Sequence, residues 1–253
     1  MTAETSFSIA VVCEAAADQR TACELADRVL CDAIDWLNED LLLTTRSWRG
    51  LNQSTKFMRW ADTKSSNWPG VKIPHGHFDG KPAFPDAAAA RRALRLLEWE
   101  GDPSPNAVIL IRDTDGDLER LTGLEQARDE STWKVPIVIG VAHTKRECWI
   151  LNGFEPRDTQ EHKRLEECKS ALGFDPRTDS QKLTASPIDA KKNPKQALQS
   201  LVEGDPDRER QCWMNTSLGV LRSRGVGSKL ADYLKDLHSR LVPLFSGKTA
   251  HPK

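Results

Sequence analysis

Three short apolar stretches of the chain have the character of buried β-strands. They are residues 8–13 (Ser-Ile-Ala-Val-Val-Cys), 106–112 (Asn-Ala-Val-Ile-Leu-Ile-Arg) and 135–142. Strands that are covered on both faces show such continuous apolar runs, because neither face meets water. The pattern therefore predicts three central strands of a mainly parallel sheet.

Amphipathic helices are predicted between and after these strands. Residues 19–38 place apolar side chains every three or four positions, and Asp18 precedes them where its carboxylate can cap free N–H groups. A second helix is predicted over residues 87–100, with Asp86 as its cap, Gly101 as its end, and three arginines largely outward, Arg91, Arg92 and Arg95. Further helices are predicted before and after the third strand. Strands that alternate with helices indicate an α/β fold.

The rest of the chain is less regular. Residues 40–85 are rich in Trp, Gly, Pro and His and contain two weaker predictions, a strand at 41–45 and a short helix around 57–61. After Gly153, polar helical stretches follow one another at residues 159–172, 195–202, 208–221 and 228–245. We therefore divide the chain into an α/β part, 1–153, with an irregular insertion at about 40–85, and a helical C-terminal region, 154–253, packed on it.

Composition and charge narrow the class of protein. The 253 residues carry 36 Lys and Arg against 37 Asp and Glu, and 38% are hydrophobic. No apolar run approaches the ~18 residues that a membrane span needs, and the N-terminus does not resemble a secretory signal. Six scattered cysteines without Cys-x-x-Cys spacing predict reduced, mostly packed thiols. We expect a cytoplasmic protein without a membrane partner.

Carboxylates follow all three predicted strands. Because the carboxyl ends of parallel strands meet at one edge of a sheet, we expect these side chains to converge there. They are Glu14 and Asp18 after the first strand, Asp113, Asp115 and Asp117 after the second, and Glu147 after the third. Crowded carboxylates repel one another, and a divalent cation relieves the repulsion. Oxygen ligands favour Mg²⁺ or Mn²⁺ over zinc, and a pair of such ions stabilises phosphoryl transfer.

The order of these acidic residues resembles a known family. The chain reads strand-Glu14-x-x-x-Asp18-helix and later strand-Asp113-x-Asp115. This order resembles the Toprim domain of topoisomerases, primases and overcoming-lysogenization-defect (OLD) nucleases, which carry a Glu after one strand and an Asp-x-Asp after a later one. Ala15 departs from the family, which usually has Gly directly after the first Glu.

Further features resemble short stand-alone bacterial Toprim-like proteins of the OLD-nuclease type. They are Glu147-x-Trp149 after the third strand, the Pro194-Lys195 segment and the terminal helices. The likeness spans most of the chain, although residues 40–85 match no feature of the family. It implies a Toprim/Rossmann-like α/β fold, with a mainly parallel sheet flanked by helices and a helical C-terminal part.

The resemblance also implies a metal-dependent nuclease centre. Glu14, Asp113 and Asp115 match the metal-binding core of the family, and Mg²⁺ or Mn²⁺ is the implied cofactor. The other candidates are auxiliary ligands or a base for the attacking water (Asp18, Asp117 and Glu147) and a cation for the transition-state phosphate (Lys195).

Each of these candidates also has a simpler interpretation. Glu14 and Asp18 suit the positive end of a helix dipole, and residues 113–117 suit an Asx-type turn. Glu147 is equally consistent with a solvated position on a helix. Lys195, with Lys191 and Lys192 nearby, is equally consistent with a wet surface.

Basic and aromatic residues offer a local face for nucleic acid. A phosphate-tracking face would use Arg91, Arg92, Arg95, Arg208, Arg210, Arg222 and Arg224. Trp48, Trp60 and Trp68 lie among basic residues such as Lys72 and would stack bases. The alternatives are solubility for the arginines and core packing for each Trp. Zinc is disfavoured at the histidines because no Cys lies near them, namely His75, His77 and His143.

Three functional hypotheses follow. The first is a metal-dependent nuclease or related phosphotransferase. The second is a non-catalytic binding or assembly module, and the third is a phosphohydrolase with an aspartyl nucleophile from the Asp113 cluster. By resemblance, such a protein serves in anti-phage defence or DNA processing with an ATPase partner, which would be encoded separately because the chain has no P-loop. The sequence leaves the oligomeric state open.

Overall fold

The computed structural model describes residues 6–65, 77–78, 80–100, 103–130 and 132–247. By its contacts the chain divides into two compact units. The first contains the described residues within 1–112, 118–140 and 235–253, and the second contains those within 113–117 and 141–234. The division differs from the sequence-based boundary at 153, because the last helical residues belong to the first unit. There the ring of Phe245 lies 4.5 Å from the ring of Phe7.

The strands form the α/β architecture that the apolar runs predicted. In chain order they are β1 (Phe7–Cys13), β2 (Arg46–Arg49), β3 (Met58–Arg59), β4 (His77–Phe78), β5 (Lys81–Pro82), β6 (Ala107–Asp113) and β7 (Ile137–Ala142). The main sheet has the order β2-β1-β6-β7, with β3 also paired to β1, whereas β4 and β5 form a small antiparallel pair. The predicted parallel sheet flanked by helices is confirmed.

The register of the central strands explains their apolar composition. β1 runs parallel to β2, to β3 and to β6, and the pairing with β6 extends from Ile9 opposite Ala107 to Val12 opposite Leu110. The five residues from Ile9 to Cys13 are fully buried. A strand with neighbours on both edges and cover on both faces has no position for a polar side chain, so its sequence does not alternate.

Helices of the first unit connect these strands. They are α1 (Ala16–Ala33), α2 (Glu39–Thr45), α3 (Asp62–Ser65), α4 (Ala87–Glu100) and α5 (Glu119–Asp129). The first helix begins earlier than predicted, so Ala15 is the N-cap and Asp18 lies in the first turn, although its carboxylate does accept from a free N–H group as expected. Asp18 accepts this hydrogen bond from the backbone N–H of Ala15 at 2.9 Å. The predicted end of α4, Gly101, lies outside the described residues.

Two predictions within residues 40–85 are wrong. The apolar run at 41–45 belongs to α2, not to a strand, because Asn38 caps a helix by accepting from the N–H of Leu41 at 2.9 Å. The helix predicted around 57–61 is instead β3 and a turn, in which the N–H of Trp60 donates to Cys13 at the end of β1. Residues 66–76 and 79 of this segment lie outside the described part of the chain.

The second unit and the C-terminal residues are helical, as predicted. The helices are α6 (Arg146–Asn152), α7 (Thr159–Leu172), α8 (Pro194–Val202), α9 (Pro206–Met214), α10 (Leu218–Arg224), α11 (Leu230–Asp236) and α12 (Val242–Phe245), with a 3₁₀ turn at Ser180–Lys182 and a π-helical turn at Leu237–Leu241. The single helix predicted over 208–221 is wrong. It is broken before Ser217, which begins α10 by accepting from the N–H of Val220.

A buried polar network organises the core of the second unit. The side chain of Asn152 donates to Arg177 O at 2.9 Å and accepts from the hydroxyl of Ser228 at 2.5 Å. The indole N–H of Trp149 also donates to Ser228, at its carbonyl oxygen, and the Trp149 ring stacks on Tyr233. Every member has a partner, so the network specifies one arrangement of α6.

The described helices include none that is both long enough and apolar enough to cross a membrane. All six cysteines are free thiols, four of them buried and two half-buried, as the absence of paired spacing predicted. Burial raises the pKa of several of these thiols, with Cys212 reaching about 12. The thiols therefore stay protonated at neutral pH and pack as small apolar groups.

Candidate functional site

The acidic turn after β6 has a defined backbone. β6 ends at Asp113, and the N–H of Asp117 closes the turn by donating to the carbonyl of Thr114 at 2.9 Å. Asp115 and Gly116 both adopt left-handed backbone conformations, with φ of 51° and 93°. Asp and Gly are residues that tolerate this region, which explains the sequence Asp-x-Asp-Gly at this point. The turn therefore holds its carboxylates at fixed backbone positions.

Hydrogen bonds fasten this turn to the segment after β7. The N–H of Thr114 donates to Ala142 and the N–H of Asp115 donates to Thr144, each at 3.0 Å. The buried hydroxyl of Thr114 lies 2.8 Å from Nδ1 of His143. Burial, together with the charge of Lys229, lowers the pKa of His143, so the imidazole is neutral at pH 7. A neutral ring can fix the hydroxyl that lies between the two aspartates.

Lys145 is a cation that contacts the acidic turn. Its ammonium lies 2.6 Å from Oδ1 of Asp115, and this hydrogen bond raises the pKa of Lys145. Sequence reasoning named Lys195 as the cation for the transition-state phosphate and did not consider Lys145. The overlooked signal is that Lys145 follows the third strand and is the N-cap of α6. Lys195 lies exposed in the first turn of α8.

Glu147 lies in the first turn of α6 and is only 8% exposed. The interpretation of Glu147 as a solvated residue is therefore wrong. Its carboxylate is 3.9 Å from the guanidinium of Arg146, which also forms a 2.9 Å ion pair with Glu209. A buried carboxylate beside one shared cation is a credible ligand or base, and its catalytic role stays a prediction.

In the first unit, Glu14 pairs with an arginine. Arg112, at the end of β6, donates through Nη1 to Glu14 and through Nε to Asp86 at 2.7 Å. The guanidinium also lies over the ring of Trp60 at 5.7 Å. The carboxylate of Asp86, which was predicted to cap α4, thus accepts a hydrogen bond from Arg112. Arg112 holds the side chain that follows β1 against the end of β6.

The predicted ligands match the chemistry of a magnesium site. All of the predicted ligands are carboxylates, the ligand type that Mg²⁺ and Mn²⁺ prefer. Within the described residues, however, no group of three His, Cys, Asp or Glu side chains is arranged to hold a metal ion. Two of the predicted ligands, Glu14 and Asp115, contact side-chain cations instead.

Models of protein families, curated protein sequences and solved structures all give no match. The resemblance to Toprim proteins and the roles that it implies therefore stay predictions, and the site is judged on its geometry.

Part of the predicted nucleic-acid face is interior. Arg91 is 1% exposed and pairs with Glu130, and Arg208 is 4% exposed and pairs with Glu161. Trp60 is 6% exposed and donates its indole N–H to the backbone of β6. The predicted phosphate contacts of Arg91 and Arg208 are therefore wrong, since buried side chains cannot reach a polyanion, whereas Trp60 packs in the core, as the alternative for each Trp predicted. Two further members of the basic and aromatic set, Trp68 and Lys72, lie outside the described residues, as does the histidine His75.

Proposed function

We propose that this protein is a Mg²⁺- or Mn²⁺-dependent nuclease, or a related phosphotransferase, of the Toprim type. The observation that supports the proposal is the pairing of two neighbouring parallel strands, β1 and β6. Glu14 directly follows β1 and Asp113 is the last residue of β6. Ligands of parallel α/β sheets bind beyond the carboxyl ends of the strands. Each of these two carboxylates lies at the carboxyl end of its strand.

The proposed metal ligands are Glu14, Asp113 and Asp115, with auxiliary roles for Asp18, Asp117 and Glu147. Binding requires Arg112 to release Glu14 and Lys145 to release Asp115. Exposed ion pairs of this kind are each worth about 0–1 kcal/mol. These losses subtract from the affinity of the released carboxylates: an intrinsic Kd of about 1 mM corresponds to about 4 kcal/mol, of which about 2–4 kcal/mol remains.

The cations of the chain have a second proposed use in this reaction. A phosphodiester carries negative charge that increases at the reacting oxygens, and fixed cations stabilise it. Lys145, at the start of α6, contacts Asp115 and would lie beside the turn that carries Asp113 and Asp115 once released. We retain Lys195, exposed at the start of α8, as the other candidate for this role.

A non-catalytic binding or assembly module is the alternative function. The observation that favours it is the charge balance already described: Arg112 compensates Glu14, and Lys145 compensates Asp115. The charge of a carboxylate that is paired in this way is already neutralised, so it does not need a metal ion. In such a module the acidic turn would contact a partner, and the proposed partner is a separately encoded ATPase.

The proposed substrate is nucleic acid, in anti-phage defence or DNA processing in the cytoplasm. The members of the arginine set that are not buried remain candidates for phosphate contacts, namely Arg92, Arg95, Arg210, Arg222 and Arg224. Phosphate contacts make binding fall steeply with salt, so titration at two ionic strengths measures how many of them take part.

Cleavage assays separate the two functions. Wild type, Asp113→Asn and Asp115→Asn are incubated with single- and double-stranded DNA and RNA in Mg²⁺ or Mn²⁺. We expect wild type to cleave and both variants to lose about 100-fold or more, as when one group that stabilises transition-state charge is removed. Asp40→Asn, which changes an exposed carboxylate on α2, serves as the matched control.

The opposite results are equally clear. If Asp113→Asn cleaves at the rate of wild type, the assigned metal centre is wrong. If wild type cleaves no nucleic acid, alone or with a candidate ATPase partner, the binding module is the better account.

A further inference from the structure

Helices α7 and α8 of the second unit flank a groove of about 270 Å³. Small side chains create this space, because Cys168 and Ala171 on α7 lie across from Ala197 and Ser200 on α8. Small-molecule pockets typically measure about 300–1,000 Å³, so the groove suits a compact ligand. Of the residues proposed for the nuclease reaction, only Lys195 lies on these two helices, and it does not line the groove.

Two of the three charged side chains that line the groove form ion pairs, and the third forms none with the residues that the structure describes. On α7, Arg164 is paired with Glu203 at 3.0 Å and Glu167 is paired with Lys163 at 3.8 Å. Lys191 lines the opposite wall and is exposed. No carboxylate of the described residues lies within ion-pair distance of its ammonium group. The rim therefore offers one uncompensated positive charge above a floor of small, mainly apolar side chains.

We infer that this groove binds a small organic anion, an apolar ring or short chain that carries a carboxylate or sulfonate group. The apolar body would fill the space left by the small side chains, and the acidic group would pair with Lys191. Apolar contact gives most of the affinity, and the charge fixes the orientation of the ligand. Lys191 thereby acquires a role apart from phosphoryl transfer.

The first test uses 8-anilinonaphthalene-1-sulfonate, an aromatic sulfonate whose fluorescence rises in apolar surroundings. Full-length wild type is expected to bind it at one saturable site. Ala171→Trp, which fills the groove from an exposed position, should abolish the signal. Ser170→Trp, on the neighbouring exposed position of α7 and not lining the groove, should bind like wild type. Circular dichroism confirms that both variants are folded.

The second test separates a specific contact from general charge. Lys191→Glu is expected to weaken binding of the probe by about threefold or more. Losing an exposed ion pair weakens binding by up to about fivefold, and the new carboxylate also repels the sulfonate. Lys192→Glu makes the same change in net charge one residue away and does not line the groove. It should bind as wild type does.

The third test locates the probe. Cys31 and Cys168 are the two half-buried cysteines, and the other four are buried. In a Cys31→Ser background, alkylation by neutral iodoacetamide therefore reports on Cys168. Saturating probe should slow this reaction at least about fivefold. If the rate at Cys168 does not change, or if Ala171→Trp binds the probe as wild type does, the groove is not an anion site and the inference is overturned.

Discussion

At the residue scale, charge at the strand ends is balanced within the chain. Arg112 contacts both Glu14 and Asp86, and Lys145 contacts Asp115. Repulsion among the carboxylates is thereby relieved by side-chain cations, and crowding does not by itself require a metal ion. A metal ion and these cations compete for the same oxygens, so the affinity for metal depends on the cations.

Replacing Lys145 with Met removes its charge and keeps most of its apolar stem. We predict that Mn²⁺ binds about two- to fivefold more tightly, because an exposed ion pair of about 0.2–1 kcal/mol no longer opposes it. Isothermal titration calorimetry measures the change, and Lys195→Met, which makes the same substitution at the start of α8, should leave the affinity unaltered. Unchanged or weaker binding to Lys145→Met contradicts the competition.

The buried pair of Glu161 and Arg208 makes a second prediction. Glu161 is 1% exposed, and Arg208 donates to it at 2.8 Å. Arg208→Met leaves a buried charge without its main partner and should lower the free energy of unfolding by about 3–5 kcal/mol. Arg157 also donates to Glu161, but its own side chain is half-exposed. Arg157→Met should therefore lower the free energy of unfolding by about 1 kcal/mol or less. Urea denaturation compares the two, and equal losses would contradict this account.

The same pair gives stability a specific dependence on pH. Burial raises the pKa of Glu161, but hydrogen bonds from Arg208 and Arg157 outweigh it and lower the pKa from 4.5 to about 2. A carboxyl with a lowered pKa stabilises the fold above its unfolded pKa, and this contribution is lost as pH falls from about 4.5 toward 2. Glu161→Gln should therefore flatten the loss of stability in this range. An unchanged slope would contradict the assignment.

Arg91 shows why some residues were wrongly placed from the sequence. It lies four residues after Ala87 and three before Leu94, both buried, so the helical period puts it on the apolar face of α4. It was predicted to point outward only because it is charged. Glu130 and the carbonyl of His77 accept from it, and its guanidinium lies 3.3 Å from the centre of the Phe78 ring. These partners, distant in sequence, could not be predicted.

At the element scale, the packing of α5 depends on one glycine. A Cβ at Gly123 would lie 1.8 Å from the carbonyl oxygen of Pro85, just before α4. Gly123→Ala should therefore destabilise the protein by about 1–3 kcal/mol, the usual cost of overpacking. Gly219→Ala, in α10, meets open space and should stabilise by about 0.5–1 kcal/mol. Thermal unfolding measures both, and a stable Gly123→Ala variant would contradict the close packing.

Elements with complete local signals were predicted well. α7 has the bounds expected from the sequence, since Asp158 caps its start and Gly173 ends it in a left-handed conformation. α2 was mistaken for a strand because Leu41 to Leu43 form a short apolar run, which periodicity alone cannot assign. The cap at Asn38 was the deciding signal.

At the scale of the whole molecule, the fold class could be predicted from the sequence, because it follows from three apolar runs separated by helices. The division into units could not be predicted, because it depends on contacts such as that between Phe7 and Phe245, which are far apart in the sequence. The carboxylates of the candidate site could be predicted, because they follow apolar strands. Their cations could not, because Arg112 lies 98 residues from Glu14 and Lys145 lies 30 residues from Asp115.

The most direct test of the proposed function is anomalous diffraction from crystals soaked in Mn²⁺. The proposal predicts a peak about 2 Å from oxygens of Asp113, Asp115 and Glu14, with the Lys145 ammonium displaced from Asp115. The contradicting result is a structure at saturating Mn²⁺ in which no peak lies at these carboxylates and Lys145 still contacts Asp115.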